Sequence, residues 1–176
     1  MNRTILFAGG CRSGKSRQAL KTGSEMLGTR NLFIATCVPH DPEMIHRVKQ
    51  HQRERDSRWQ TIEEPVGLAA CIARQGPSAD LVLVDCLTLW VSNLMVAHSN
   101  DAGVLACIDD LCAVLNTAPC PIILVTNEVG CGIVPENALA RRFRDLNGWA
   151  NQRVASACRQ VIWMVAGIPV TIKDSP

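Results

Sequence analysis

Eight consecutive residues, Gly9-Gly10-Cys11-Arg12-Ser13-Gly14-Lys15-Ser16, fit G-x-x-x-x-G-K-[ST] without a gap. Such a run makes a phosphate cradle: the glycines, expected to take φ > 0 at Gly9 and Gly14, bring backbone N–H groups close to anionic oxygens, and the helix that follows adds its positive end. Lys15 then reaches the β- and γ-phosphates of a nucleoside triphosphate, and the Ser16 hydroxyl suits Mg²⁺. A second metal-facing group is expected at Asp85, the acid that closes Leu81-Val82-Leu83-Val84. A carboxylate at the carboxyl end of a buried parallel strand faces the cation held by such a cradle. Lys15 and Asp85 are therefore the first catalytic candidates.

A third chemical element is His51. Met44, Val48, His51 and Arg55 are four, three and four residues apart and share one helical face, with Arg47 beside them and Arg53 on the flank. An imidazole among guanidiniums is placed either to work on a phosphate or simply to lie on a wet, charged helix face; periodicity alone leaves both open.

These groups need a scaffold, and the hydrophobic pattern supplies one. Buried strands are expected over 4–8, 31–35, 81–85 and 121–125, each a continuous apolar run as parallel strands covered on both faces are. A weaker strand is read at 59–63. Helices are expected from the cradle to about Leu27 with Gly28 as its cap, over 44–55 with Asp41 and Pro42 at its start, from Val66 to about Gln75, over 87–97, over 101–116 capped by Asp101, and from Pro135 through Ala157. The last of these carries Arg141, Arg142, Arg144 and Arg153 opposite its apolar stripe, as a solvated face or as contacts to a phosphorylated ligand or another subunit. Residues 161–173 read as a closing hairpin. Thr126-Asn127-Glu128 lies just beyond a strand, on the edge where open α/β sheets bind ligands.

Composition narrows the class. A chain of 176 residues that is 47% hydrophobic is long enough for one buried core, and a single domain over 1–176 is expected. A net charge of +2, with three Phe, four Trp and no Tyr, gives no nucleic-acid footprint. No apolar run is long enough for a membrane span or a signal-peptide core, so a cytoplasmic protein is expected. Nine cysteines with no C-x-x-C pair imply neither a disulfide framework nor a zinc site. Cys86 and Cys120 read as small buried hydrophobes, and Cys11, within the cradle, as either a reactive thiol or a loop filler.

Several stretches together resemble one family, the bifunctional adenosylcobinamide kinase / adenosylcobinamide-phosphate guanylyltransferases of cobalamin biosynthesis. They are 9–17, Ile34-Ala35-Thr36, Asp41 with Glu43, Met44, Arg47, Val48 and His51, then Trp59, Thr61 and Glu63-Glu64-Pro65, then 85–93, 126–146, Asn151-Gln152-Arg153 and the closing Val165-Ala166-Gly167-Ile168. The run Asn127-Glu128-Val129-Gly130 with Gly132-Ile133-Val134-Pro135 is far more specific than the cradle. Departures fall at Cys11, Pro42, Asp56, Trp149 and Arg159-Gln160, none of them Lys15, Ser16, His51 or Asp85.

The resemblance implies an α/β P-loop NTPase fold of the RecA-like, three-layer kind, mostly parallel with an antiparallel hairpin at the carboxyl end. It implies a two-step enzyme acting on ATP or GTP with Mg²⁺ bound by Ser16 and Asp85. The hydroxyl of adenosylcobinamide takes a γ-phosphoryl group; His51 then takes GMP from GTP and passes it to adenosylcobinamide phosphate. Nucleotide contacts are implied at Gly9, Gly10, Cys11, Arg12, Ser13, Gly14, Lys15, Ser16, at Ile34, Ala35 and Thr36, at Gln52, Arg53, Glu54 and Arg55, and at Glu63 and Asp85. Glu63 suits the guanine N1–H and N2–H₂ edge. A homotrimer is implied as well. A small-molecule kinase without a covalent step and a GTP-dependent switch are the competing readings; the absence of an Asn-Lys-x-Asp motif speaks against the common switch class.

Overall fold

The computed structural model describes residues 3–26, 28–39, 41–53 and 55–175. The side chains of Arg47, Lys49, Gln50, His51 and Arg53 lie outside what it describes. In chain order the elements are β1 (Thr4–Gly9), α1 (Lys15–Glu25), β2 (Asn31–Ala35), α2 (Pro42–Arg53), β3 (Trp59–Glu63), α3 (Leu68–Gln75), a short 3₁₀ turn (Gly76–Ser78), β4 (Leu81–Asp85), α4 (Leu87–Ala97), α5 (Asp101–Asn116), β5 (Ile122–Asn127), α6 (Ala138–Ala157), β6 (Gln160–Val165) and β7 (Ile168–Asp174).

The strands form one seven-stranded sheet in the order β3-β2-β4-β5-β1-β6-β7. Every neighbouring pair is parallel except β6 with β7, the antiparallel hairpin at the carboxyl end. Side chains alternate between two apolar layers, as a strand period of two requires. Leu6, Leu32, Ile34, Val82, Val84, Ile122 and Leu124 pack with residues of α3, α4, α5 and α6. Ile5, Phe7, Phe33, Leu81, Leu83, Ile123 and Val125 pack on the other face with Ala19 and Leu20 of α1. This is the three-layer α/β P-loop NTPase architecture expected from the sequence.

Helix ends differ from the pattern-based expectation where a neighbouring residue makes the better cap. α1 stops at Glu25 because Met26 is already extended and returns its N–H to the Gly23 carbonyl, so Gly28 caps nothing. The cap of α5 is Asn100, whose side chain accepts from the Gly103 N–H, with Asp101 inside the first turn. Asn137 rather than Pro135 starts α6, accepting from the Ala140 N–H. α3 begins at Leu68, after an Asx-like turn in which Glu64 Oε1 accepts from Gly67 N at 2.7 Å.

The arginines of α6 are neither idle nor gathered into one patch. Arg142 and Arg153 reach Asp101 and Asp109 of α5 at 2.6 and 2.7 Å. Arg141 donates to the Pro135 and Glu136 carbonyls and Arg144 to the Gly130 carbonyl, holding the loop that precedes the helix.

Candidate active site at the carboxyl edge of the sheet

The register brings the three decisive strand ends together. Gly9 of β1 stands opposite Asn127 of β5, and Asp85 of β4 opposite both Val125 of β5 and Ala35 of β2. Alternation from Leu81 and Leu83 sends Asp85 to the face on which α1 lies, and the same count from Ile123 and Val125 sends Asn127 there.

The loop between β1 and α1 closes on itself. Ser13 N–H donates to the Gly10 carbonyl at 3.3 Å, and Lys15 Nζ donates to the same oxygen at 2.9 Å. Gly14 sits at φ 89° as the residue that caps α1, with no side chain assisting, which leaves the first N–H groups of the helix for a ligand. The expectation for Gly9 needs correcting. Among the described residues the positive-φ positions are Arg12, Gly14, Ala166 and Gly167, so Arg12 takes the left-handed conformation assigned to Gly9. Gly9 is needed for a different reason: a Cβ there would lie 2.7 Å from both the Met164 carbonyl and Ser13 Oγ. The Ser13 hydroxyl is buried without a partner.

Lys15 is 8% exposed. Burial holds its ammonium below the ordinary lysine value, while the nearby Asp85 and the thiols of Cys86 and Cys11 pull the other way. Arg55 also feels the charge of Asp85. Its guanidinium carbon stacks 3.9 Å from the centre of the Phe33 ring, burial lowers its pKa, and Asp85 opposes that shift. Arg55 Nη1 is buried without a hydrogen-bond partner, a donor suited to an anionic oxygen.

Around Asp85 the chain is tied down. The Thr36 hydroxyl donates to the Cys86 carbonyl at 2.7 Å and accepts from the Cys86 N–H at 2.9 Å. Asn93 Nδ2 donates to the carbonyls of Thr36 and Pro65. Burial pushes the Cys86 thiol up to about 12, and the charge of Asp85 adds to that rise, so Cys86 is an inert filler as expected. Cys120 is buried likewise; Cys11 is exposed.

Of the residues singled out from the sequence, the structure therefore gathers the 9–16 loop, Ala35, Thr36, Arg55 and Asp85. Glu63 lies exposed at the tip of β3, paired with Ala35. Ile34 is fully buried in the core layer of α3 and α4. His51 and Arg53 belong to α2 by backbone, Gln52 is exposed on it, and Glu54 lies outside the described residues.

Sequence reasoning missed a buried polar chain behind this edge. Thr126 Oγ1 donates to Asn151 Oδ1 at 2.7 Å and lies 3.3 Å from Thr88 Oγ1, which accepts from the Asn127 N–H at 2.7 Å. Asn147 and Asn151, one turn apart on α6, both donate to the Asn127 carbonyl. The available signal was two asparagines on the same face as Leu146, Ala150 and Val154.

Comparisons with known proteins place this architecture. The model of the cobinamide kinase / cobinamide phosphate guanyltransferase family matches residues 5–172. The bifunctional adenosylcobalamin biosynthesis protein CobU of Salmonella typhimurium is 42% identical over 183 residues, covering 96% of this chain and 99% of that one. The bifunctional adenosylcobalamin biosynthesis protein CobP of Pseudomonas aeruginosa is 39% identical over 177 residues, covering 97% and 98%. Among solved structures, an ATPase of a bacterial type III secretion system superposes with a TM-score of 0.60 at 10% identity, over 96% of this chain and 56% of that one, a likeness of fold. Matched across so much of its length, the chain belongs to the cobinamide kinase / cobinamide phosphate guanyltransferase family.

Proposed function

We propose that the chain works in two steps on one corrinoid. The hydroxyl of adenosylcobinamide first takes the γ-phosphoryl group of ATP or GTP. His51 then attacks the α-phosphorus of GTP, pyrophosphate leaves, and the guanylyl group passes from the imidazole to adenosylcobinamide phosphate, giving adenosylcobinamide-GDP. The observation that carries this reading is the convergence of Lys15, Arg55 and Asp85 on one face of the sheet edge, beside a loop whose N–H groups await an anion.

The residue types fit the two transfers. Backbone N–H groups of 9–16 and the Lys15 ammonium hold the β- and γ-phosphates, and the unpartnered Arg55 donor offsets charge that builds during transfer. Desolvation strengthens both cations' attraction to phosphate. A neutral imidazole is a competent nucleophile near neutral pH, and its phosphoramidate retains enough energy to donate GMP onward. Gln52, Arg53 and Glu54, which follow His51 in the chain, are read as further nucleotide contacts, while Glu63 at the β3 tip reads guanine. Ala35 and Thr36 line the edge between Glu63 and Asp85 with backbone, since the Thr36 hydroxyl is engaged by Cys86. Ile34 contributes through the strand rather than its side chain.

Ser16, in the first turn of α1, and Asp85, at the β4 tip, offer a hydroxyl and a carboxylate, hard oxygen donors that fit Mg²⁺ completed by phosphate oxygens and water. When bound there, the cation supplies charge neutralisation of the triphosphate. Among the described residues no helix is long and apolar enough to cross a membrane. We read the protein as one catalytic domain, assembling as a homotrimer in the cytoplasm.

The test is product analysis. Adenosylcobinamide incubated with the protein, GTP and Mg²⁺ is expected to gain one phosphoryl group and then one GMP, with His51→Ala stopping at the phosphate. Wild-type product that never advances beyond the phosphate would reduce the reading to a kinase.

A further inference from the structure

We infer that Glu128 is the proton acceptor in the phosphoryl-transfer half, an inference that rests on the kinase step proposed above. Glu128 follows β5 directly, and its N–H donates to the carbonyl of Gly9, the first residue of the phosphate loop, at 3.0 Å. β5 runs between the strand that carries the loop and the strand that ends in Asp85. Glu128 thus stands on the same sheet edge as both, and its carboxylate is held from both sides. Oε1 accepts from the Gly130 N–H at 3.1 Å and Oε2 from Asn151 Nδ2 at 3.4 Å.

Asn151 is itself fixed. It accepts from Thr126, donates to the Asn127 carbonyl, and Thr126 meets Thr88 at the head of the helix that follows Asp85. Thr88, Thr126 and Asn151 are all buried. Burying polar groups costs free energy unless each is satisfied, so a chain of them that ends on a half-buried carboxylate is a positioning device. With one hydrogen bond on each oxygen, Glu128 keeps lone pairs for a substrate donor. On the preceding residue, Asn127 Oδ1 is a buried acceptor without a partner. Asp85 is not available for this work, since Lys15 and Arg55 both engage its charge. No ion pair engages Glu128 among the described residues.

The step balances. The O–H bond of the acceptor hydroxyl breaks, its proton passes to a Glu128 carboxylate oxygen, and the hydroxyl oxygen bonds to the γ-phosphorus. The bond from that phosphorus to the bridging oxygen breaks, and the nucleoside diphosphate leaves with its electron pair.

Glu128→Gln keeps the shape and removes the acceptor. We expect kcat for phosphoryl transfer to adenosylcobinamide to fall about 10²-fold or more. The nucleotide Kd and the melting temperature stay at wild-type values, and the acidic limb of the wild-type pH–rate profile disappears. Glu128→Asp should keep that limb at a reduced rate. A Glu128→Gln rate within about threefold of wild type, well below any general-base contribution, overturns the inference. So does a loss shared equally by Glu128→Gln and Glu128→Asp together with nucleotide binding or melting temperature, which marks a structural role. Wild-type protein that transfers no phosphoryl group overturns the kinase reading and this inference with it.

Discussion

α1 and α2 both leave the carboxyl edge of the sheet after a buried parallel strand, yet they are built in opposite ways. α1 buries Lys15, Ala19, Leu20 and Gly23. It lies so close to the sheet that a Cβ on Gly23 would come within 3.0 Å of Leu81 and Trp59. Among the described residues α2 supplies nothing to either apolar layer: Met44 and Val48 are half-buried and Ile45 is 43% exposed. Asp41 accepts from the Met44 N–H at 2.7 Å within the helix's own first turn, and Arg55, just past the helix, stacks on Phe33. α1 is locked into the core, whereas among the described residues α2 enters neither apolar layer.

The contrast is broken most directly in the cradle. Lys15→Ala should lower phosphoryl and guanylyl transfer alike by about 10²- to 10³-fold, the range seen when one preorganised charge-stabilising donor is lost. A defect confined to one of the two assays would mean that the steps use separate phosphate sites. Next in size is stability. Leu124→Ala, fully buried in β5, should cost about 2–5 kcal/mol in chemical denaturation, whereas Ile45→Ala on α2 should stay within about 0.5 kcal/mol. Comparable costs would show that α2 is packed as tightly as α1. Arg55→Ala should weaken GTP binding about tenfold, through loss of a partly desolvated cation, and leave the melting temperature nearly unchanged. Titration calorimetry would show it.

The smallest effect is a pH dependence. Burial lowers the pKa of Lys15 below its ordinary 10.5, so between the two values the unfolded chain binds more protons than the folded one. The resulting penalty is present below the lowered value and is relieved as pH rises through that window. Lys15→Met should flatten this rise in an alkaline series of denaturation curves, and saturating triphosphate should reverse it by favouring the charged amine.

The same contrast explains what the sequence made legible. Apolar runs such as Leu81-Val82-Leu83-Val84 revealed the buried strands because a strand covered on both faces has no room for other residues. The cradle was readable because backbone geometry dictates Gly14 and chemistry dictates Lys15. Gly9 was recognised for the wrong reason, since its close neighbour Met164 comes from β6, far along the chain, and no local pattern shows it. Caps were misplaced at Asp101 and Pro135 because an adjacent asparagine competed and local propensity does not decide between them. The polar chain through Thr88, Thr126 and Asn151 stayed hidden: Thr126 was read only as part of a ligand-facing strand end, and its bond to Asn151 of α6 is a tertiary contact that no local pattern shows. For α2 the nearly all-charged sequence led to the expected helix, and among the described residues none of it enters either apolar layer, so His51 was singled out by resemblance rather than by packing.

The central step of the proposed two-step reaction is covalent guanylylation of His51. Protein incubated with Mg²⁺ and GTP labelled at the α-phosphate, then denatured and separated from free nucleotide, should retain acid-labile label, release pyrophosphate in equal amount, and lose both in His51→Ala. Label that persists unchanged in His51→Ala, or wild-type protein that forms adenosylcobinamide-GDP without ever carrying label, would contradict it.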